Sequence, residues 1–260
     1  MRNLVRWLPA ATLLILSSCG GTSGSAAQGS PSPDPVRGDL SVFAAASLTE
    51  SFTAAGKAFK KQHPGVNLQF NFAGTPTLVT QLQQGAAADV LASADQANMQ
   101  RATDASLVLP RARIFTRNKL QIVVGPNNPK HITGLSDLAK SDVLFIAEAP
   151  TVPAGKYGAQ ALAAAGVKVS PRSQEADVRS VVSKVGLGEA DAGIVYVTDV
   201  KAAGSRVSGV EIPDPQNVVA TYPVAAVRDA RNAAAASEFI DYLLSAEGQM
   251  LLTRFGFGHA

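Results

Sequence analysis

The chain has 260 residues, with 23 Lys+Arg against 20 Asp+Glu and 46% hydrophobic but only 6% aromatic residues. Leaving out Arg2 and Arg6 of the leader lowers the basic count from 23 to 21 against 20 acidic residues, or +1, which is no electrostatic footprint for nucleic acid. The single cysteine, Cys19, excludes an internal disulfide and a cysteine-based metal cluster, and His63, His131 and His259 lie too far apart to read as a ligand set.

The N-terminus reads as an export signal. Residues 1–18 carry Arg2 and Arg6 and then an apolar run from Trp7 to Leu16, too short for an ordinary transmembrane span. Leu16-Ser17-Ser18-Cys19-Gly20 resembles the lipobox of bacterial lipoproteins, which implies a lipid on Cys19 and a membrane anchor. Residues 19–38, rich in Gly, Ser, Ala and Pro, are expected to form a disordered tether. A coil of that length reaches roughly 25 Å. About 220 residues remain to fold, enough for one large or two small lobes. With few aromatics, their core is expected to be built from Ala, Val and Leu.

Leu40–Ala44 is predicted as the first strand and Ser47–Gln62 as a helix, stopped by His63-Pro64-Gly65. Ser47 and Glu50 have the spacing of a capping box. Val66–Phe72 alternates apolar and polar residues, the period of a strand. Thr75 as N-cap with Pro76 after it predicts a helix to Gln84, ending at Gly85. A strand at Asp89–Ser93 and a helix at Ala94–Asp104 follow, then a long apolar segment, Ile114–Gly125. The grammar repeats: a strand at Val143–Ala147, a helix through Tyr157–Ala165 and a short strand at Val167–Pro171. A helix opened by Asp177-Val178-Arg179, a strand at Ala192–Val197 and a second long apolar segment at Val218–Val227 come next. Helices containing Ala233–Leu244 and Glu247–Phe255 close the chain.

Strands alternating with helices predict an α/β fold with mainly parallel sheets. The two long apolar segments suggest two lobes, residues 39–121 with 222–260 forming one and 122–221 the other. Ligands of such folds bind where strands end and helices begin, here also the cleft between lobes. Four junctions stand out, at Ser47, Thr75, Ala154 and Val178. The first two offer a hydroxyl and a backbone N–H, the last two only a backbone N–H, and Tyr196 adds a phenol at a strand end. At Ser47 and Tyr196 the alternative is a plain helix cap and a partly buried strand tyrosine. Donors without obligatory charge suit a small, fully deprotonated oxyanion, because helix N-termini favour negative charge. A ligand that keeps a proton would want an acceptor such as Asp, and Asp177 is the only Asp at these junctions, placed to cap its own helix.

Val42–Glu50 (VFAAASLTE), Phe72–Leu78 (FAGTPTL), Ala88–Gln96 (ADVLASADQ), Val152–Gly155 (VPAG), Glu175–Arg179 (EADVR) and Gly193–Asp199 (GIVYVTD) occur in this order, followed by Tyr222-Pro223-Val224 and Phe255-Gly256-Phe257. Together they resemble the periplasmic molybdate-binding proteins of ABC transporters, the ModA type, over essentially the whole chain after the tether. The resemblance implies a two-lobed, type II solute-binding fold that takes molybdate or tungstate through neutral hydrogen bonds from Ser47, Thr75, Ala154, Val178 and Tyr196. It implies no cofactor, no metal other than molybdenum carried as an oxyanion, a membrane permease as partner, and a monomer. The segment Gly74-Thr75-Pro76 departs from the serine-rich pattern there, and Pro76 removes one donor.

Two other readings remain within reach of the residues: a receptor for sulfate or another oxyanion, and a ligand-sensing domain of a regulator. A secreted serine enzyme with Ser47 as nucleophile lacks support. The folded region has no Gly-x-Ser-x-Gly elbow, no Ser-x-x-Lys at Ser47 and no histidine placed as a base.

Overall fold

A computed structural model describes residues 36–260 of the chain. The expected signal at 1–18, Cys19 and most of the tether lie outside the described residues. The last tether residues belong to the folded part: Val36 is buried, the Arg37 carbonyl accepts from Asn232 Nδ2, and Gly38 opens the first strand.

The chain runs β1 (Gly38–Ala45), a 3-10 turn (Ala46–Leu48), α1 (Thr49–Gln62), β2 (Val66–Ala73), α2 (Thr75–Gln83), β3 (Val90–Ala92), α3 (Gln96–Asp104) and β4 (Arg113–Val124). It continues with β5 (Phe145–Glu148), α4 (Pro153–Ala164), β6 (Gln174–Glu175), α5 (Val178–Gly186), β7 (Ala192–Tyr196) and α6 (Val197–Ala203). β8 (Ser208–Glu211), β9 (Val219–Ala226), α7 (Ala233–Leu244) and α8 (Ala246–Arg254) complete it. Most predicted elements are present within a few residues of their expected bounds. Val167–Pro171 is not a strand; the short strand in that region is β6. α6 and β8 had no expectation attached.

All nine strands join in one path, β2-β1-β3-β9-β4-β7-β5-β6, with β8 beside β4. Its two ends are parallel, β1 with β2 and β3, and β5 with β6 and β7. Its centre is antiparallel, because β4 and β9 run against each other and against their other neighbours. β4 serves both ends of the path: Arg113–Lys119 pair with β9, Leu120–Val124 with β7 and Gln121–Val124 with β8. These two strands are the two long apolar segments of the sequence.

Strand alternation sends β1 into two cores. Val42 and Ala44 join Phe52, Phe59 and Phe239 in the larger one, while Phe43 faces Leu78, Val79, Leu82 and Met99 of α2 and α3 in the smaller. α1 buries Phe52, Ala55 and Phe59 on one stripe. The few aromatics are concentrated there. Phe239 meets Phe52 and Phe59 edge-on, with ring centroids 5.8 and 5.3 Å apart. The expectation of an aliphatic core therefore misses this aromatic part, where truncating one phenylalanine costs about 3–5 kcal/mol. Among the described residues, no helix is long and apolar enough to cross a membrane.

Candidate functional site

Strands β1, β2, β5, β6 and β7 bring their C-terminal ends to one small cavity. It is lined by Ala45–Ser47, Gly74 and Thr75, Ala94, Glu148, Val152–Ala154, Asp177 and Val178, and Tyr196. Its free volume is about 10 Å³, room for about one water-sized group, which excludes a sugar or a peptide in this conformation. Ser47, Thr75, Ala154, Val178 and Tyr196, singled out in the sequence, all line it. No lysine or arginine does.

Local chemistry explains each position. Ser47 does not cap α1. It lies inside the 3-10 turn, and its hydroxyl shares a 3.0 Å hydrogen bond with the Tyr222 hydroxyl. Glu50, the other half of the expected capping box, instead takes Arg179 Nη1 at 2.7 Å. Thr75 is the first helical residue of α2, not its N-cap; Gly74 holds that place. Thr75 Oγ1 accepts the Ala94 N–H at 3.2 Å. The approach at Gly74 is close: a Cβ there would stand 2.4 Å from the Ala176 carbonyl oxygen.

The first turns of α4 and α5 are already partly engaged. Pro153 brings no N–H to α4, and Gly155 N–H bonds the Glu148 carboxylate oxygen at 3.2 Å. In α5 the Asp177 side chain accepts the Ser180 N–H at 3.0 Å, the helix-capping role read from the sequence. Ala154 and Val178 of these first turns line the cavity, and the Ala154 N–H also acts on the Glu148 carboxyl.

Tyr196 ends β7 with its backbone N–H on Asp199 Oδ2 at 2.9 Å. Its hydroxyl is buried and has no hydrogen-bond partner, the one such side-chain atom among the described residues. Its ring packs on Tyr222 at 5.8 Å. Burial pushes both phenols well above their ordinary range, so each stays protonated and able to donate. Burial also raises the Glu148 carboxyl well above the usual range, with the Asp199 charge adding to it. Asp199, also raised chiefly by burial, is pushed up to about 7 against the pull of the Tyr196 N–H.

Sequence reasoning missed Glu148 as a site residue and quoted Tyr222 only as part of a motif. The available signals were an acid at the end of the apolar run Phe145–Glu148 and a tyrosine inside the apolar run of β9. Asn118 joins the same polar cluster, donating to Thr198 Oγ1 at 2.8 Å. A wider groove of about 750 Å³ shares Asp177 with the cavity and is lined by Glu50, Arg179, Lys184 and Arg206 among others. Among the described residues, no group of His, Cys, Asp and Glu is arranged to hold a metal ion.

Comparison with known proteins gives a consistent picture. The family model described as bacterial extracellular solute-binding protein matches residues 40–258. The molybdate-binding protein ModA of Mycobacterium tuberculosis is 37% identical over 260 residues, covering 97% of this chain and 99% of that protein. Two solved structures share the fold. The periplasmic molybdate-binding protein of Azotobacter vinelandii has a TM-score of 0.74 at 18% identity, covering 85% of this chain and 99% of its own. The sulfate-binding protein SubI of M. tuberculosis has a TM-score of 0.75 at 20% identity, covering 84% and 86%.

Proposed function

From the premise that this chain belongs to the bacterial extracellular solute-binding proteins, and within them resembles ModA, we propose that it captures molybdate, and tungstate with it, for an ABC importer. It is a binding protein and not an enzyme. The observation that carries the reading is the Tyr196 hydroxyl, a buried donor without a partner in a cavity bounded by the starts of three helices.

The proposed ligand set is Ser47, Thr75, Ala154, Val178 and Tyr196. Three hydroxyls and the backbone N–H groups around them supply donors only, which suits a dianion that keeps no proton. Hydrogen bonds to a charged acceptor contribute about 1.5–3 kcal/mol each. Roughly six of them, less the cost of desolvating the ion and closing the lobes, are compatible with micromolar binding or better. In this reading the lobes are 39–121 with 222–260, and 122–221, and they hinge where β4 and β9 pass between them. The protein acts as a monomer and presents the closed lobes to a membrane permease.

Attachment through a lipid on Cys19 belongs to the same proposal, with residues up to the folded part as its tether. Cys19→Ser should move the protein from the membrane fraction to the soluble fraction; continued anchoring would sink the lipobox reading. The ligand proposal is tested by thermal denaturation with molybdate, tungstate, sulfate and phosphate in turn. At a hundredfold excess over Kd a specific ligand stabilises by about 2.7 kcal/mol, so the first two should raise Tm clearly and the last two little.

A further inference from the structure

Glu148 is 3% exposed and lines the cavity beside the five proposed ligand residues. Its carboxylate oxygen holds the Gly155 N–H at 3.2 Å, and the Ala154 N–H acts on the same carboxyl. The start of α4 therefore already faces an acidic group of the protein itself. The charged and titratable groups around it offer no compensating cation. Asp177 comes from the start of α5 and Asp199 from α6, Tyr196 of β7 faces the Glu148 charge with a neutral phenol, and Arg179 of α5 is engaged by Glu50. Glu175, its register partner on β6, is bonded to Lys184 at 2.7 Å.

A dianion cannot share so small a space with an ionised carboxylate at low local dielectric; one charge must be neutralised. Neutralisation means taking up a proton, and the buried carboxylate, whose proton affinity burial has raised, is a stronger base than an oxyanion that is fully deprotonated in water, so the proton goes to the protein. We propose that Glu148 is the proton acceptor of this site: it takes one proton from solvent as the oxyanion enters and stays a neutral carboxylic acid in the complex. The inference rests on the oxyanion reading above. It makes Glu148 a positioning and selectivity residue. Protonated, it leaves the Ala154 N–H to the ligand; ionised, it competes for that N–H and repels the ligand. The raised proton affinity that burial confers on Glu148 works in the same direction.

Linkage fixes the sign. Uptake of a proton makes affinity fall as pH rises, by up to tenfold per pH unit when one full proton is taken up. The test is isothermal titration of the purified protein with sodium molybdate from about pH 6 to 9, each pH in two buffers of different ionisation enthalpy. The expected result is falling affinity, with proton uptake rising toward one per molybdate. Glu148→Gln should bind with a flat pH profile and no uptake. Asp199→Asn should keep the uptake, which separates the two buried acids. Binding by the wild type without uptake anywhere in the range overturns the inference, whether or not the Gln variant folds. So does uptake that survives Glu148→Gln or disappears in Asp199→Asn. A wild type that binds no molybdate at any pH overturns the proposed function instead, a result readily told apart from the others.

Discussion

At the scale of single residues, the side chains around the cavity divide into those that complete the fold and those that the fold leaves available. Tyr196 is the clearest of the second kind. An unpartnered buried hydroxyl costs about 1–3 kcal/mol of stability. Tyr196→Phe should therefore leave Tm unchanged or raise it, while weakening molybdate binding by about 1.5–3 kcal/mol; equal loss of both would make the hydroxyl structural. Ser47→Ala should weaken binding by about 1–3 kcal/mol and also lower stability, because it removes the bond to Tyr222. Asp199 gives a pH signature. Its proton affinity is raised in the folded state, from 3.8 to about 7, so its contribution is fully present below the unfolded value and is lost as pH rises through about 7. Denaturation should show wild-type stability falling relative to Asp199→Asn between about pH 4 and 7, by an amount on the order of a few kcal/mol, and running parallel above. A constant difference between the two proteins would contradict that assignment. The residue types at the cavity were legible because hydroxyl and phenol donors at strand ends are visible in sequence. The partners were not: Glu50 has the spacing of a capping box, yet Arg179, distant in the chain, outcompetes Ser47 for it.

At the scale of elements, the legible features were those with a local cause. Period-two alternation marked β2, and Gly85, at φ +86°, marked the end of α2. β6 and α6 escaped because neither has a local period of its own. β6 exists because β5 offers it an edge, and α6 follows β7 directly, with Tyr196 as its N-cap. Gly74 shows how such long-range constraints reach back into sequence. Its φ of −56° suits any residue, so space and not backbone freedom demands glycine. Gly74→Ala would press a Cβ into the Ala176 carbonyl and force the start of α2 away from the loop before α5. We expect it to weaken molybdate binding at least tenfold while lowering the stability of the ligand-free protein far less. Equal affinity for the two proteins, read by titration, would mean that the contact yields without cost. The Glu50–Arg179 pair bridges α1 and α5 nearby, but both side chains are about half exposed, so its loss should change stability by no more than about 1 kcal/mol.

At the scale of the whole molecule, the alternation of strands and helices was enough to predict the α/β class and to point to the strand ends that line the cavity. The sheet topology was less accessible. A long apolar strand reads the same whether it lies at the edge of a sheet or at its centre, and only its pairing partners distinguish these. β4, bonded to β9 in its first half and to β7 and β8 in its second, is such a strand. The cavity that results has no cation in its lining and two acids beside its donors, so selectivity must come from donor geometry, cavity size and proton content. That is the central claim, and isothermal titration of the purified protein with molybdate, tungstate, sulfate and phosphate at one pH tests it most directly. The account predicts one-to-one, micromolar or tighter binding of molybdate and tungstate, with sulfate and phosphate much weaker. Phosphate or sulfate bound as tightly as molybdate, or none of the four bound at all, would contradict it.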